Sequence, residues 1–99
     1  MEYEKSVKHI SGKKGHGILL FALSTCIWCR MTRELLEKSG FEFSYVYVDL
    51  LEGKAREDAV AEMGRWNQST SFPTLIIDKK RAILGYQEEE IEKMLENGN

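Results

Sequence analysis

The chain has few of the features that define several large classes of protein. Its 99 residues include only two cysteines and one proline. It is therefore neither a disulfide-framework domain, which needs several cysteine pairs, nor a low-complexity segment. The 14 basic and 16 acidic residues give a net charge of −2, which supplies no long-range attraction to nucleic acid or to an acidic membrane surface. We expect neither partner.

Long apolar runs are also missing. The longest covers residues 18–23, which is too short to cross a bilayer. The long polar segment before it is unlike a secretory signal peptide, so we expect a reducing, cytoplasmic environment. Hydrophobic residues make up 42% of the chain, enough to order a compact core at this length. We predict a single domain over residues 1–99.

Hydrophobic periodicity predicts the element order β-α-β-α-β-β-α across a core of residues 18–95. In the first helix, four residues recur at the spacing of one helical face, which predicts that they point inward: Trp28, Met31, Leu35 and Leu36. Gly40 ends that helix, because glycine readily takes positive φ. Strands are predicted at residues 18–23, 41–48, 74–78 and 82–84, and helices begin near residues 26, 53 and 88.

This order predicts an α/β three-layer sandwich. A strand–helix–strand beginning implies a parallel pair with a right-handed crossover, and the closing hairpin adds antiparallel strands. The sheet is thus mixed and four-stranded, with helices on both faces. The polar segment 1–17 forms either a loose arm or an additional edge strand that turns at Ser11-Gly12, and we favour the edge strand.

Two cysteines, Cys26 and Cys29, lie where the first strand ends and the first helix begins. This spacing brings their sulfurs within bonding reach. The unpaired amides and positive dipole end of the helix favour a thiolate at the first sulfur, and Arg30 can add positive charge. The second sulfur lies one turn further in, where it can attack a mixed disulfide. The pattern predicts thiol–disulfide exchange.

Zinc binding is a competing interpretation of the cysteine pair. Zinc needs four ligands, and the only histidines, His9 and His16, lie in the N-terminal segment with no second cysteine pair. Redox chemistry is therefore favoured.

The single proline, Pro73, either simply begins a strand or follows a cis bond that turns the backbone of Phe72 towards the cysteines.

Four segments, in this order, resemble the glutaredoxin branch of the thioredoxin superfamily: residues 23–30, 47–49, 71–74 and 84–88. The resemblance implies a thioredoxin-like, glutaredoxin-type fold with Cys26 as nucleophile, Cys29 as resolving thiol and a cis bond before Pro73. The segment from Gly64 to Pro73 is longer than usual in the family, and makes Trp66 and Gln68 further candidates for holding a substrate. The implied substrate-binding residues are Thr25, Trp28, Arg30, Phe72, Pro73, Gly85, Tyr86 and Glu88.

The chain departs from the family pattern at three positions. Leu23 replaces a lysine that members using glutathione carry, Ile27 replaces a proline, and Leu84 replaces a glycine. The reductant therefore stays open between glutathione, another low-molecular-weight thiol and thioredoxin reductase, with no tightly bound cofactor. The resemblance implies a monomer that acts on protein or small-molecule disulfides and can donate electrons to ribonucleotide reductase.

Two other functions remain as alternatives. Some glutaredoxin-like proteins hold a [2Fe–2S] cluster between two protomers, using the first cysteine of each and two small-thiol sulfurs. Ile27 removes one obstacle to that arrangement, but the bulk of Ile27 and Trp28 and the missing lysine argue against it. A redox-inert interaction domain is less favoured, because such a domain needs neither cysteine.

Overall fold

The structure is a computed structural model that describes residues 2–96. Met1 of the predicted N-terminal segment and residues 97–99 of the predicted domain lie outside it. Short 3-10 helices cover Glu2–Ser6 and Val48–Leu50. Within residues 2–96 the strands are β1 (Lys8–Ile10), β2 (Ile18–Ala22), β3 (Phe43–Tyr47), β4 (Thr74–Ile77) and β5 (Arg81–Leu84), and the α-helices are α1 (Ile27–Ser39), α2 (Gly53–Gly64) and α3 (Glu88–Glu96).

The strands form one mixed sheet in the order β1-β3-β2-β4-β5. β2 and β3 are parallel, and the other neighbouring pairs are antiparallel. The predicted α/β fold and element order are confirmed. No helix within residues 2–96 has both the length and the apolar character needed to cross a membrane.

The N-terminal segment forms the additional edge strand rather than a loose arm. β1 pairs with β3 so that Ile10 lies opposite Phe43. Beyond the turn, the Lys13 amide donates to the Gly40 carbonyl at 2.8 Å and the Lys13 carbonyl accepts from the Glu42 amide at 2.9 Å. These bonds fasten the segment to the sheet.

Alternating residues of the central strands divide the core between the two sheet faces, as the pattern of β3 predicts. Phe43 and Tyr45 face the layer of α1 and α3, whereas Val46 faces α2. Both helical layers therefore bury apolar side chains against the same sheet. This packing holds the strand ends, and the loops that follow them, in fixed relative positions.

Helix α1 differs from its predicted orientation at Trp28. Its buried residues are Cys29, Thr32 and Leu36, whereas Trp28 is 54% exposed. Thr32 tolerates burial because its hydroxyl donates to the Trp28 carbonyl at 2.9 Å. The expectation that Trp28 points inward was wrong, because the inward face starts at a cysteine and includes a threonine. The predicted helix end is confirmed at Gly40, whose φ is 82°.

The hairpin differs from the predicted boundaries by one residue on each side. β4 ends at Ile77 and β5 already begins at Arg81. Asp78 and Lys79 have φ values of 56° and 53°, which no strand residue adopts. The turn is therefore formed by residues 78–80.

Candidate active site

Four loops meet at one edge of the sheet because of the strand directions. β2 and β3 are parallel, so Cys26 and Asp49, which follow them, lie at the same edge. β4 runs the opposite way and starts there, so Pro73 precedes it at that edge. β5 is antiparallel to β4 and ends beside its start, which adds Gly85.

Cys26 caps the first turn of α1. Its amide donates to the Leu23 carbonyl at 3.3 Å, closing a turn after β2. Its φ and ψ of −92° and 118° are extended, and its sulfur accepts the Cys29 amide at 3.2 Å. The half-buried sulfur thus takes the capping position that an oxygen occupies in most helices, where helix amides favour negative charge.

Cys29 lies one turn further along and is only 2% exposed. Burial, and next a hydrogen bond with Cys26, raise the pKa of the Cys29 thiol to about 12. Cys29 is therefore protonated at neutral pH. Both residues are free thiols, so the structure pairs an accessible sulfur that receives an amide with a buried sulfur that stays protonated.

The peptide bond between Phe72 and Pro73 is cis, as the resemblance implied. The Pro73 carbonyl accepts the Gly85 amide at 2.9 Å, and Gly85 has a φ of 81°, which favours glycine at that position. Phe72 and Cys26 both pack against the core cluster beneath α1 and α3. Two of the predicted substrate-binding segments are thus joined to each other at the same end of the sheet as the cysteines.

An aromatic pair joins the first turn of α1 to the loop after β5. The rings of Trp28 and Tyr86 stack with centroids 5.8 Å apart. Desolvation, and then the charge and hydrogen bond of Glu88, raise the pKa of the Tyr86 phenol. Ile27 at 55%, Trp28 at 54% and Leu84 at 41% are among the exposed large apolar side chains of the described chain.

The remaining candidate substrate-binding residues are either exposed to solvent or packed on the α2 face of the sheet. Arg30 is solvent-exposed and its guanidinium pairs with Glu34 at 3.5 Å. Thr25 and Gln68 are exposed. Trp66 packs against the core cluster beneath α2, and its indole N–H donates to Glu62 at 3.4 Å. The structure thus gives Trp66 a packing role on the α2 face of the sheet.

Asp49 and Ser24 form a contact that was not predicted from the sequence. The Ser24 amide donates to one Asp49 carboxylate oxygen at 2.8 Å, and the Ser24 hydroxyl donates to the other at 2.6 Å. Partial burial opposes the charge, but the bonds from Ser24 hold the pKa of the Asp49 carboxyl below its ordinary value. The one available signal was the family-like segment 47–49.

Asn67 belongs to the longer segment between Gly64 and Pro73, but its burial was not predicted. Its side chain is polar, yet it is only 3% exposed. Its amide group donates to the carbonyl and hydroxyl of Ser71 and to the hydroxyl of Thr74, and its carbonyl oxygen accepts from the amide and hydroxyl of Ser69. Asn67 therefore organises the loop that leads into the cis peptide bond.

Structural zinc and a shared iron–sulfur cluster are the two metal-binding alternatives, and they need different sets of ligands. Across residues 2–96, no group of three or more His, Cys, Asp or Glu side chains is placed to hold a metal ion. One copy of the described chain thus lacks the four ligands of a structural zinc site. A cluster shared between two protomers would draw one cysteine from each.

The chain is similar to known proteins over most of its length. The profile of the glutaredoxin family matches residues 18–82. A glutaredoxin from Methanosarcina mazei Go1 is 48% identical, with a TM-score of 0.84 over 91% of this chain and 87% of that chain. A methanoredoxin from Methanosarcina acetivorans is 42% identical, with a TM-score of 0.83 over 85% and 88%. An uncharacterized glutaredoxin-like 8.6 kDa protein of the rubredoxin operon in Clostridium pasteurianum is 32% identical over 79 residues, which are 80% of this chain and 97% of that protein.

Proposed function

Because the chain belongs to the glutaredoxin family, we propose that it is a thiol–disulfide oxidoreductase in which Cys26 attacks and Cys29 resolves. The difference between the two sulfurs carries this proposal. Cys26 is half-buried and its sulfur accepts a helix amide, whereas Cys29 is buried and protonated at neutral pH. Thiol–disulfide exchange needs one accessible thiolate that attacks the substrate and a second thiol that attacks the resulting mixed disulfide.

The reaction transfers two electrons to the substrate. The Cys26 thiolate attacks one sulfur of a disulfide, forms a mixed disulfide and releases the first substrate thiolate. Cys29 then loses its proton to solvent and attacks the Cys26 sulfur. A Cys26–Cys29 bond forms, and the second substrate thiolate leaves. A reductant returns the bridge to two thiols.

The surroundings of Cys26 favour a disulfide carried on a polypeptide. Ile27, Trp28 and Leu84 are exposed apolar side chains close to this edge of the sheet, and an apolar surface gains stability when a partner covers it. The backbone of Phe72, beside the cis bond, is the proposed pairing edge for an extended chain. Pro73, Gly85, Tyr86 and Glu88 complete the proposed groove.

The choice of reductant depends on the residues that could bind glutathione. Leu23 takes the position of a lysine that would meet a glutathione carboxylate, and the nearby Arg30 is paired with Glu34. Both observations favour a thioredoxin reductase or another small thiol over glutathione. We propose action in the reducing cytoplasm, where such a dithiol is regenerated, with ribonucleotide reductase as one class of electron acceptor.

The test compares reductants on one protein disulfide. One reaction contains glutathione with glutathione reductase, and the other contains thioredoxin reductase with NADPH. We expect turnover in at least one, abolished by Cys26→Ser, whereas Cys29→Ser retains activity only where a small thiol can resolve the mixed disulfide. Full activity of Cys26→Ser would overturn the proposal. No turnover in either reaction, together with visible absorption after anaerobic iron–sulfur reconstitution, would favour the cluster-binding alternative.

A further inference from the structure

We propose that Asp49 is a positioning residue for the dithiol, acting through its two hydrogen bonds to Ser24 in the turn that presents Cys26. The inference rests on the proposed exchange function and adds to it a residue outside the cysteine motif. Asp49 lies 23 residues after Cys26 in the sequence, so the two meet only through the parallel pairing of β2 and β3.

The turn before α1 has few bonds of its own. It spans residues 23–26, and its backbone closes through the 3.3 Å bond from the Cys26 amide to the Leu23 carbonyl, which is long for an N–H···O bond. Ser24 and Thr25, between them, are exposed. The two bonds to Asp49, at 2.8 and 2.6 Å, are the short ones. Bonds to a carboxylate are also stronger than those between neutral groups.

Asp49 is itself anchored to the fold. It belongs to the 3-10 helix Val48–Leu50, directly after β3, where Tyr47 lies opposite Ala22 of β2. The Arg56 guanidinium, from α2, donates to the Asp49 carbonyl at 3.0 Å. A chain of contacts thus runs from α2 through Asp49 to Ser24 and fixes the turn two residues before the reactive sulfur.

The charge of Asp49 acts on the second thiol. Its negative charge makes the smallest contribution to the raised pKa of the Cys29 thiol, after burial and the hydrogen bond and charge of Cys26. Arg56 is the charged group that faces Asp49. The amide and hydroxyl of Ser24 donate hydrogen bonds to the Asp49 carboxylate. Removing the negative charge therefore favours the Cys29 thiolate and accelerates the resolving attack, whereas removing the hydrogen bonds loosens the turn and slows the first attack.

Three substitutions separate these effects. Asp49→Ala removes the bonds and the charge together. Asp49→Asn removes the charge but keeps an oxygen for the Ser24 amide and an amide group that can donate to the Ser24 hydroxyl. Ser24→Ala keeps the charge and loses one bond. Asp58→Ala is the matched control, because Asp58 also accepts a backbone amide from a distant residue, Glu2, at 2.9 Å.

The measurement is stopped-flow reaction of the reduced protein with dithiobis(nitrobenzoate), which releases one coloured thiolate on attack and a second on resolution. We expect Asp49→Ala to slow the first phase about tenfold, because small displacements of a nucleophile cost this much or more. Asp49→Asn should restore the first phase to within about threefold of wild type and should speed the second phase. Ser24→Ala should slow only the first phase, about threefold, and Asp58→Ala should change neither.

The outcomes distinguish this inference from the proposed function. If the wild-type protein releases no second thiolate, the exchange mechanism itself fails. If wild type shows both phases and folded Asp49→Ala matches it within twofold in both, the positioning role is refuted. A merely structural role would lower the thermal midpoint and leave both phases unchanged. If Asp49→Ala fails to fold, Ser24→Ala still tests the proposal, because Ser24 is exposed and its substitution leaves the core intact. An unchanged first phase in Ser24→Ala would refute the positioning role of Asp49.

Discussion

The indole of Trp28 stacks on the ring of Tyr86 at an interplanar angle of 27°. The contact joins the first turn of α1 to the loop after β5, next to the bond between Gly85 and Pro73. An aromatic pair therefore links the helix turn that follows Cys26 to the loop after β5. Aromatic rings supply a large apolar contact area at low entropic cost.

Trp28→Ala is expected to weaken substrate binding more than chemistry. An aromatic contact is worth about 1 kcal/mol, which corresponds to a rise of about fivefold in KM for a protein disulfide, with kcat nearly unchanged. Stability should fall by less than about 1 kcal/mol, because Trp28 is half exposed. Val60→Ala, on the exposed surface of α2, is the control. A KM equal to that of wild type would contradict the assigned role.

The buried position of Cys29 predicts slow alkylation. Its pKa of about 12 leaves it protonated at neutral pH, and iodoacetamide reacts with thiolates. Reduced protein should therefore take up one label at the more accessible Cys26 and a second only after unfolding. In Cys26→Ser, which removes the contributions of Cys26 but keeps the burial, labelling of Cys29 should still accelerate as the pH rises above neutral. Mass spectrometry with peptide mapping measures this, and equal labelling rates at both cysteines would contradict it.

Asp78 predicts a loss of stability in acid. The hydrogen bond from the Gly17 amide at 2.6 Å, and next the bond with His16, hold the pKa of the Asp78 carboxyl below its ordinary value. The ionised group therefore stabilises the fold above about pH 4, and this contribution is lost as pH falls through the lowered pKa. Asp78→Asn tests the charge, because asparagine tolerates the positive φ of this position.

The Asp78→Asn comparison uses urea unfolding over a pH series. Wild type should exceed the variant by about 1 kcal/mol at neutral pH, a modest value because the side chain is partly exposed. The difference should disappear between about pH 4 and pH 2. A difference that stays constant through this range would show that the charge of Asp78 contributes nothing.

Asn67→Ala should destabilise the loop before the cis bond. The substitution leaves the partners of a buried amide unsatisfied, which costs about 2 kcal/mol. We expect that loss in urea unfolding, together with a raised KM for a protein disulfide. Gln68→Ala, at the exposed neighbouring position, should change stability by less than about 0.5 kcal/mol. Equal stability of the two variants would contradict this role of Asn67.

Local patterns were sufficient to predict much of this molecule. The apolar, strand-like run at residues 41–48 was predicted to be a strand, and it contains β3, in which Tyr45 and Val46 alternate between the two sheet faces. Gly40 marked the end of α1 through its positive φ. The cysteine pair was placed at a helix start because its spacing and the preceding apolar run are short-range features.

Contacts between distant segments could not be derived in the same way. Asp49 and Ser24 are 25 residues apart, and nothing in either segment indicates that their polar groups meet. Asn67 is buried only because its loop folds back beneath the start of β4. Trp28 was misplaced because helical spacing does not distinguish a core position from an exposed aromatic residue at a reactive site.

The most direct test of the account is to trap the intermediate. Cys29→Ser and Cys26→Ser are each mixed with one equivalent of a peptide disulfide, and the products are mapped by mass spectrometry. We predict a stable peptide adduct on Cys26 in the first variant, none in the second, and a Cys26–Cys29 bridge in wild type. An adduct on Cys29 in the Cys26→Ser variant, formed as fast as the adduct on Cys26, would contradict it.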